Sequence, residues 1–104
     1  MSVLVDLADL PRTLSDFERG FLLTSKDGLV KAVSSRAVVS GDTLVVAGPG
    51  RGSVANAAAN PSVTLLFPPP GGAGMALLVD GTAVVEGEDI RVTPTGAVLH
   101  KPVP

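Results

Sequence analysis

Residues 36–67 read RAVVSGDTLVVAGPGRGSVANAAANPSVTLLF, and this stretch decides the fold. The segments on both sides of Ser40-Gly41-Asp42 are apolar, which is typical of two strands joined by a tight turn. A glycine-rich loop follows, and Ser53 is expected to cap a short Ala-rich helix that ends at Asn60-Pro61. An apolar strand closes the stretch. The pattern predicts strand, turn, strand, loop, helix and strand in that order.

The N-terminal region has a helical pattern. Leu7, Leu10, Leu14 and Phe17 recur at spacings of three and four residues, which places them on one face of a helix. Pro11 interrupts this segment, so the pattern predicts either one short helix or two helical turns around the proline. In either form the apolar face would cover part of the sheet as an amphipathic lid.

Strand patterns dominate the rest of the chain. Residues 21–39 predict a first hairpin closed by an Asp27-Gly28 turn, and residues 75–86 predict a long strand with a bulge at Gly81. Two last strands are predicted at 90–94 and 96–100. The chain is therefore predicted to be mainly β, a single domain over residues 1–104 that forms a small antiparallel barrel of six to seven strands.

Composition excludes several classes of function. Lys and Arg together number 8 against 10 for Asp and Glu, and only three residues are aromatic, so neither a basic surface nor a stacking platform for nucleic acid is expected. The chain has no cysteine, and His100 is its single histidine. We therefore predict no metal site and no catalytic triad built on histidine.

The charge-free segment 52–79 is long enough for a membrane helix but is not expected to form one. Pro61, the three prolines at 68–70 and several glycines interrupt it, and each breaks a helix. The N-terminus has no basic flank before an uninterrupted apolar stretch, so no signal peptide is predicted. We expect a cytoplasmic protein with no membrane partner.

The glycine-rich loop is the strongest local indication of a binding site. Backbone N–H groups of Gly50, Gly52 and Ser53 at a helix N-terminus would face a single anion, and phosphate is the natural ligand. The spacing fits neither the dinucleotide fingerprint nor a P-loop. The alternative interpretation is an ordinary glycine turn with a serine cap and with Arg51 in solvent.

Arg36 is the second candidate. If residues 29–39 form one strand, alternation places Ser34, Arg36 and Val38 on the same face. Arg36 and the loop would then converge on one dianion, for which a planar guanidinium is well suited. The alternative is an exposed sheet face on which the arginine stem packs while its charge stays in water.

The order of these parts resembles the pyridoxamine-phosphate-oxidase-like flavin-binding split barrels. In that family a strand of the type R-x-V-h-h, where h is apolar, is followed by a hairpin, an apolar strand, a short loop and a helix ending in Asn-Pro, as in residues 36–67 here. MALLVDGTAVVEG at 75–87 is similar to the family's L-x-V-x-G-x-A strand. The resemblance covers about residues 17–87 and implies an antiparallel split β-barrel with a short N-terminal helix and a short connecting helix.

The resemblance also implies a cofactor and an assembly. It implies a homodimer with FMN, or a deazaflavin, in grooves between the subunits. Arg36 matches the family's phosphate-binding arginine, and Ser53 stands where many members have a phosphate-binding lysine. Gly52 occupies a position that is often arginine, although Arg51 could supply one cation. The implied cofactor-binding residues are Arg36, Val38, Val39, Ala47, Gly48, Gly50, Arg51, Gly52 and Ser53.

The expected function is that of an FMN-binding split barrel acting as an oxidoreductase on an unidentified small molecule, with no catalytic residue assigned. Such proteins leave the chemistry to the cofactor, so the missing catalytic constellation does not oppose this interpretation. Two alternatives remain: a deazaflavin-dependent member, or a non-catalytic dimer that serves as a ligand-binding or interaction module. The sequence ends in HKPVP, without the segment that completes the substrate site of true pyridoxamine-phosphate oxidases, so that reaction is not expected.

Overall fold

The computed structural model describes residues 1–101, and the last part of the HKPVP ending, residues 102–104, lies outside the described residues. The strands are β1 (Ser2–Leu4), β2 (Gly20–Lys26), β3 (Leu29–Ser35), β4 (Ala37–Ser40), β5 (Thr43–Val46), β6 (Ser62–Phe67), β7 (Ala76–Glu86) and β8 (Asp89–His100). The helices are α1 (Leu10–Leu14) and α2 (Arg51–Ala59), with single 3-10 turns at Leu7–Asp9 and Pro70–Gly72. Among the described residues no helix is both long and apolar enough to cross a membrane.

One antiparallel sheet contains all eight strands. Its order is β3-β2-β6-β7-β8-β5-β4, and β1 pairs with β8 at the far end of that strand. The two strands at the ends of this order, β3 and β4, are consecutive in the chain and are separated by Arg36 alone. The sheet must therefore curl until its two edges meet, yet β3 and β4 are not paired. This is a split barrel, as predicted.

The barrel interior is filled with aliphatic side chains and one aromatic ring. Phe67 on β6 is 1% exposed, and its ring lies 6.4 Å from that of Phe17 at an interplanar angle of 59°. Leu10 and Leu14 of α1 are buried in the same core, whereas Leu7 is exposed. The predicted N-terminal lid is thus two short helical turns around Pro11, with three of its four apolar residues packed inward.

The predicted Asp27-Gly28 turn is confirmed, and the pairing of β7 is irregular at Gly81 as predicted, but the extra residue lies on the partner strand. Asp27 and Gly28 both have positive φ, at 53° and 78°, as a two-residue hairpin turn requires. The pairing of β7 with β8 shifts between Asp80 and Gly81. Because the register passes from Gly96 to Pro94, the extra residue at this bulge is Thr95 on β8. The irregularity accommodates Pro94, so the two predicted final strands form one continuous strand.

Three sequence predictions were wrong. The structure has eight strands instead of six to seven, partly because Ser2–Leu4 adds an unpredicted strand. Residues 29–39 are two strands and not one, so Arg36 shares no strand face with Ser34 and Val38. The cap of α2 is Gly50, with φ of 104°, and Ser53 lies inside the helix. Local patterns cannot reveal the first two points, because they depend on which strands pair across the barrel.

Candidate functional site

A groove of about 550 Å³ runs between α2 and the turn that joins β7 to β8. Gly48, Gly50 and Arg51 form its end at the start of the helix, and small side chains such as Ala55 and Ala58 form its floor. Glu88 lies on the opposite rim. Because Val54 and the two alanines make the floor apolar and mostly small, it suits a flat apolar group.

The two glycines at the end of the groove expose their backbone. Gly48 and Gly50 have φ of 54° and 104°, which favours glycine at both positions. No heavy atom lies within 4 Å of the place where a Cβ would stand on either residue. The Gly48 N–H donates a 3.0 Å hydrogen bond to Oδ1 of Asp89, which ties the loop to the start of β8. A ligand could therefore approach this main chain closely.

The start of α2 offers unpaired backbone donors. The first helical bond runs from the Val54 N–H to the Gly50 carbonyl at 3.1 Å. The N–H groups of residues 51–53 precede it and have no acceptor within the helix. Ser53 itself is 0% exposed, and its hydroxyl has no hydrogen-bond partner in the part of the chain described. Of the donors predicted for the anion site, the N–H groups of Arg51 and Gly52 precede the first helical bond, whereas Ser53 is buried as a whole residue.

Lys31 makes a contact with the start of α2 that the sequence analysis did not predict. It lies on β3, and its ammonium group occupies the space where a Cβ of Gly52 would stand. Gly52 is therefore the residue that allows this close approach. No local pattern indicated the contact, because 21 positions separate the two residues and only the packing of α2 on the β2–β3 hairpin joins them. In the sequence, the only indication of the Lys31–Gly52 contact is that the chain contains both an exposed lysine on β3 and a glycine-rich loop that it can reach.

Two asparagines fix α2 on the sheet. The Asn56 side-chain amide donates to the Thr24 hydroxyl at 3.2 Å, and the Asn60 amide donates to the Ser25 hydroxyl at 3.0 Å. The Asn60 side-chain carbonyl also accepts a bond from the backbone N–H of Ser62 at 3.1 Å. Asn60 therefore ends the helix, anchors it to β2 and starts β6. These hydrogen bonds of Asn60 explain why an asparagine precedes Pro61 in the sequence.

The predicted site residues lie in separate parts of the structure. Gly48, Gly50 and Arg51 line the groove beside α2, whereas Val39 lines another cavity of about 310 Å³ under the N-terminal helical turns. Val38 and Val39 are 59% and 41% exposed on the edge strand β4, and Ala47 is also exposed. Arg36 is exposed and forms no side-chain hydrogen bond or salt bridge within residues 1–101. One chain therefore does not bring all of these residues together.

Arg91 stabilises the β4 edge of the sheet, where Val38 and Val39 are exposed. Its guanidinium bonds to Glu86 at 2.9 Å and to the Thr43 hydroxyl at 2.9 Å, which joins β8 to the β4–β5 hairpin. The bond to Glu86 raises the pKa of Arg91 above its ordinary value.

Residues 1–101 contain no cluster of three or more His, Asp and Glu side chains suited to a metal ion.

Comparisons with known proteins place this geometry in a recognised fold. No family model matches the chain, and no curated protein matches it by sequence. Solved structures do match. An FAD-binding protein from Mesorhizobium loti superposes with a TM-score of 0.71 at 16% identity, over 97% of this chain and 98% of that one.

Two further structures agree. A protein from Listeria innocua, provisionally assigned as a pyridoxamine 5'-phosphate oxidase, gives a TM-score of 0.73 at 16% identity over 89% of this chain and 96% of that one. An F420 reductase gives 0.69 at 19% identity over 83% and 94%. The fold is that of the pyridoxamine-phosphate-oxidase-like split barrels. The resemblance predicted from residues 17–87 is confirmed at the level of the fold, over most of the chain.

Proposed function

We propose that this protein binds a flavin-type cofactor, with FMN as the first candidate, and uses it in a redox reaction on a small molecule. The observation that supports this most directly is the groove beside α2, where two open glycines, Arg51 and unpaired N–H groups stand at one end of an apolar floor of mostly small residues. The similarity to proteins named as FAD-binding and as an F420 reductase supports the same class of cofactor.

The residues present fit the two chemical parts of such a cofactor. The backbone at Gly48 and Gly50 is open to close approach, and the start of α2 supplies donors and a positive potential for a phosphate group. The alanines of the groove floor suit an isoalloxazine ring. When bound, the cofactor would supply hydride or electron transfer, while the protein binds it, orients it and shields it from water.

We further propose that the working form is a homodimer. Neighbouring strands align five apolar side chains in one row across the outer face of the sheet, namely Phe21, Leu66, Leu78, Val98 and Leu4. Phe21 and Leu4 are 38% and 85% exposed. A row of this kind suits association with a second copy of the same surface, as in a two-fold symmetric dimer. The partner could then bring Val38, Val39 and Arg36 to a shared groove.

Titration of the purified protein with FMN, FAD, F420 and riboflavin tests the cofactor class, with absorbance and flavin fluorescence as readouts. We expect FMN to bind more tightly than riboflavin, because riboflavin has the ring but leaves the phosphate donors without a ligand. A ligand present at 100 times its dissociation constant should stabilise the fold by about 2.7 kcal/mol in a thermal shift assay. Equal affinity for FMN and riboflavin would reject the phosphate site.

A second candidate function has an observation in its favour. Gly52 has no side chain and the Ser53 side chain is fully buried, so neither of these loop residues presents a charged side chain to a phosphate. A split barrel without useful flavin affinity would then act as a ligand-binding or interaction module. A folded protein that shows no thermal shift with any of the four compounds would favour this function over the first.

A further inference from the structure

We propose that the free edge of β3 binds an extended acidic segment of a partner protein, which pairs with β3 and adds a strand to the sheet. The inference does not depend on any cofactor, and it concerns a surface outside the groove beside α2. It rests on the unpaired backbone of β3, on the exposure of both faces of that strand and on the charges around it.

β3 is the longer of the two edge strands of the sheet. It contains seven residues and pairs, among the residues described, with β2 alone, whereas the opposite edge strand, β4, contains four. The two-residue turn at Asp27-Gly28 makes Lys26 and Leu29 a hydrogen-bonded pair, and such pairs alternate along an antiparallel hairpin. Every second residue of β3 therefore directs its backbone N–H and C=O away from β2, namely Val30, Ala32 and Ser34.

Both faces of β3 are open near the hairpin turn. Leu29 is 75% exposed on the face that Lys31 shares, and Val30 is 68% exposed on the other face. Lys31 and Ala32 are exposed as well. Because β2 pairs with β6 only at residues 21–23, the hairpin extends beyond this pairing toward its turn. An open edge with exposed aliphatic side chains is the type of site at which an extended peptide adds a strand.

The charge around this edge indicates the class of partner. Residues 19–36 contain four of the eight Lys and Arg residues of the chain but only one of its ten Asp and Glu residues. The four cations are Arg19, Lys26, Lys31 and Arg36. None of them forms a salt bridge in the part of the chain that the structure describes. A segment that carries carboxylates therefore complements this edge, although the chain as a whole has a net charge of −2.

The two faces of β3 also define the side-chain pattern of the partner. On one face the Lys31 ammonium lies over Gly52 of α2, and on the other face are Val30 and Ala32. A strand paired with β3 places one residue directly opposite Lys31, at about 4.5–5.5 Å between Cβ atoms, where a carboxylate is favoured. The neighbours of that residue lie beside Val30 and Ala32, where apolar side chains are favoured. The expected pattern is an alternation of acidic and apolar residues.

Arg19 lies at the other end of the free edge. Its Nε donates a 3.0 Å hydrogen bond to the hydroxyl of Ser34, the last residue of β3 whose backbone faces outward. Within residues 1–101 the guanidinium has no other side-chain partner. Its remaining N–H groups are therefore available to a carboxylate of the bound segment. Cations thus flank the open backbone at both of its ends.

The test uses the full chain and a fluorescently labelled peptide of seven residues, the length of β3, in which glutamate and valine alternate. The control peptide has lysine in place of each glutamate. Fluorescence anisotropy at low ionic strength measures binding. We expect saturable binding of the acidic peptide, weakened by added salt, and none of the basic peptide. Absence of saturable binding, or equal binding of the two peptides, would overturn the proposal.

Two pairs of variants locate the peptide on the chain. Ala32→Pro removes an N–H that faces away from β2, so the hairpin ladder stays complete, and Ala32→Val keeps that N–H as its control. Lys31→Glu places a like charge opposite the glutamate of the peptide, and Lys101→Glu, at an exposed lysine outside the hairpin, is its control. We expect binding to weaken about tenfold in Ala32→Pro and in Lys31→Glu, with native affinity in both controls. Equal affinity within either pair would contradict the assignment to β3. Far-UV circular dichroism confirms that each variant folds.

Hydrogen exchange shows whether the peptide pairs with β3 as a strand. We expect the bound peptide to increase the protection of the Val30 and Ala32 amides more than that of the Lys31 amide, which already faces β2. Equal changes at all three amides would reject strand addition.

Sedimentation without peptide tests the other occupant of such an edge, β3 of a second copy. A lower mass for Ala32→Pro than for Ala32→Val would show that two copies already pair through this edge and would overturn the proposal. Equal masses support an edge that is free to bind a partner.

Discussion

The backbone N–H of Gly48 donates to the Asp89 carboxylate across 3.0 Å, and this bond fixes the distance between the glycine-rich loop and the β7–β8 turn. The turn forms one side of the groove beside α2, and the loop forms its end. Residues 41 positions apart in the chain thus set its width. A single carboxylate on β8 therefore controls how the loop presents its open backbone.

Removal of this carboxylate should affect both the loop and the ligand. We expect Asp89→Ala to lower the free energy of unfolding by about 0.5–1.5 kcal/mol and to weaken FMN binding several-fold, because the loop loses its anchor. Asp89→Asn keeps an acceptor oxygen and is the control. Urea denaturation and FMN titration measure the two effects, and identical results for the two variants would contradict this role.

Gly81, which lies opposite the bulge of β8, should be intolerant of any side chain. A Cβ at this position would stand 2.8 Å from the Thr93 carbonyl oxygen, which belongs to the backbone and cannot move away freely. We expect Gly81→Ala to destabilise the protein by about 1–3 kcal/mol. Gly96→Ala, at the other side of the bulge, meets nothing within 4 Å and should be close to neutral. Denaturation midpoints of the two variants measure this difference in stability.

Arg36 remains a predicted ligand of the cofactor phosphate, on the strength of its match to the family's arginine. It is exposed at the junction of β3 and β4 and free of partners within residues 1–101. We expect Arg36→Ala to weaken FMN binding by on the order of tenfold and to leave riboflavin binding unchanged. Arg12→Ala, an exposed arginine on α1, serves as the control. Unchanged FMN affinity in Arg36→Ala would remove Arg36 from the site.

If the protein is a homodimer, sedimentation or light scattering at micromolar concentration should give a mass of twice 10.4 kDa. Leu78 is in the middle of the apolar row on the outer face, so Leu78→Lys should yield the single-chain mass because a buried ammonium would oppose association. Val84→Lys places the same charge on an exposed position of the same strand, outside that row, and should leave the mass unchanged. A native protein that sediments as one chain would refute the dimer.

Several features of the fold could be read directly from local sequence. The Asp27-Gly28 turn and the helix that ends at Asn60 depend on the conformations that their own residues favour, and both were predicted correctly. The irregularity at Gly81 was also expected, but its extra residue lies on β8. The apolar positions of α1 followed the helical period, with Leu7 as the exception. The order of the parts was also sufficient to indicate the split barrel.

The sequence by itself determined where the chain turns and which faces of its strands are apolar, because those properties arise within a few residues, and the order of these parts indicated the split barrel. Only the tertiary structure decided that Arg36 divides two strands at opposite edges of the sheet, that Ser53 is buried and that Lys31 lies over Gly52. These facts arise when the sheet curls and α2 packs against β2 and β7. Contacts of that kind join distant residues, and neither periodicity nor turn chemistry contains them.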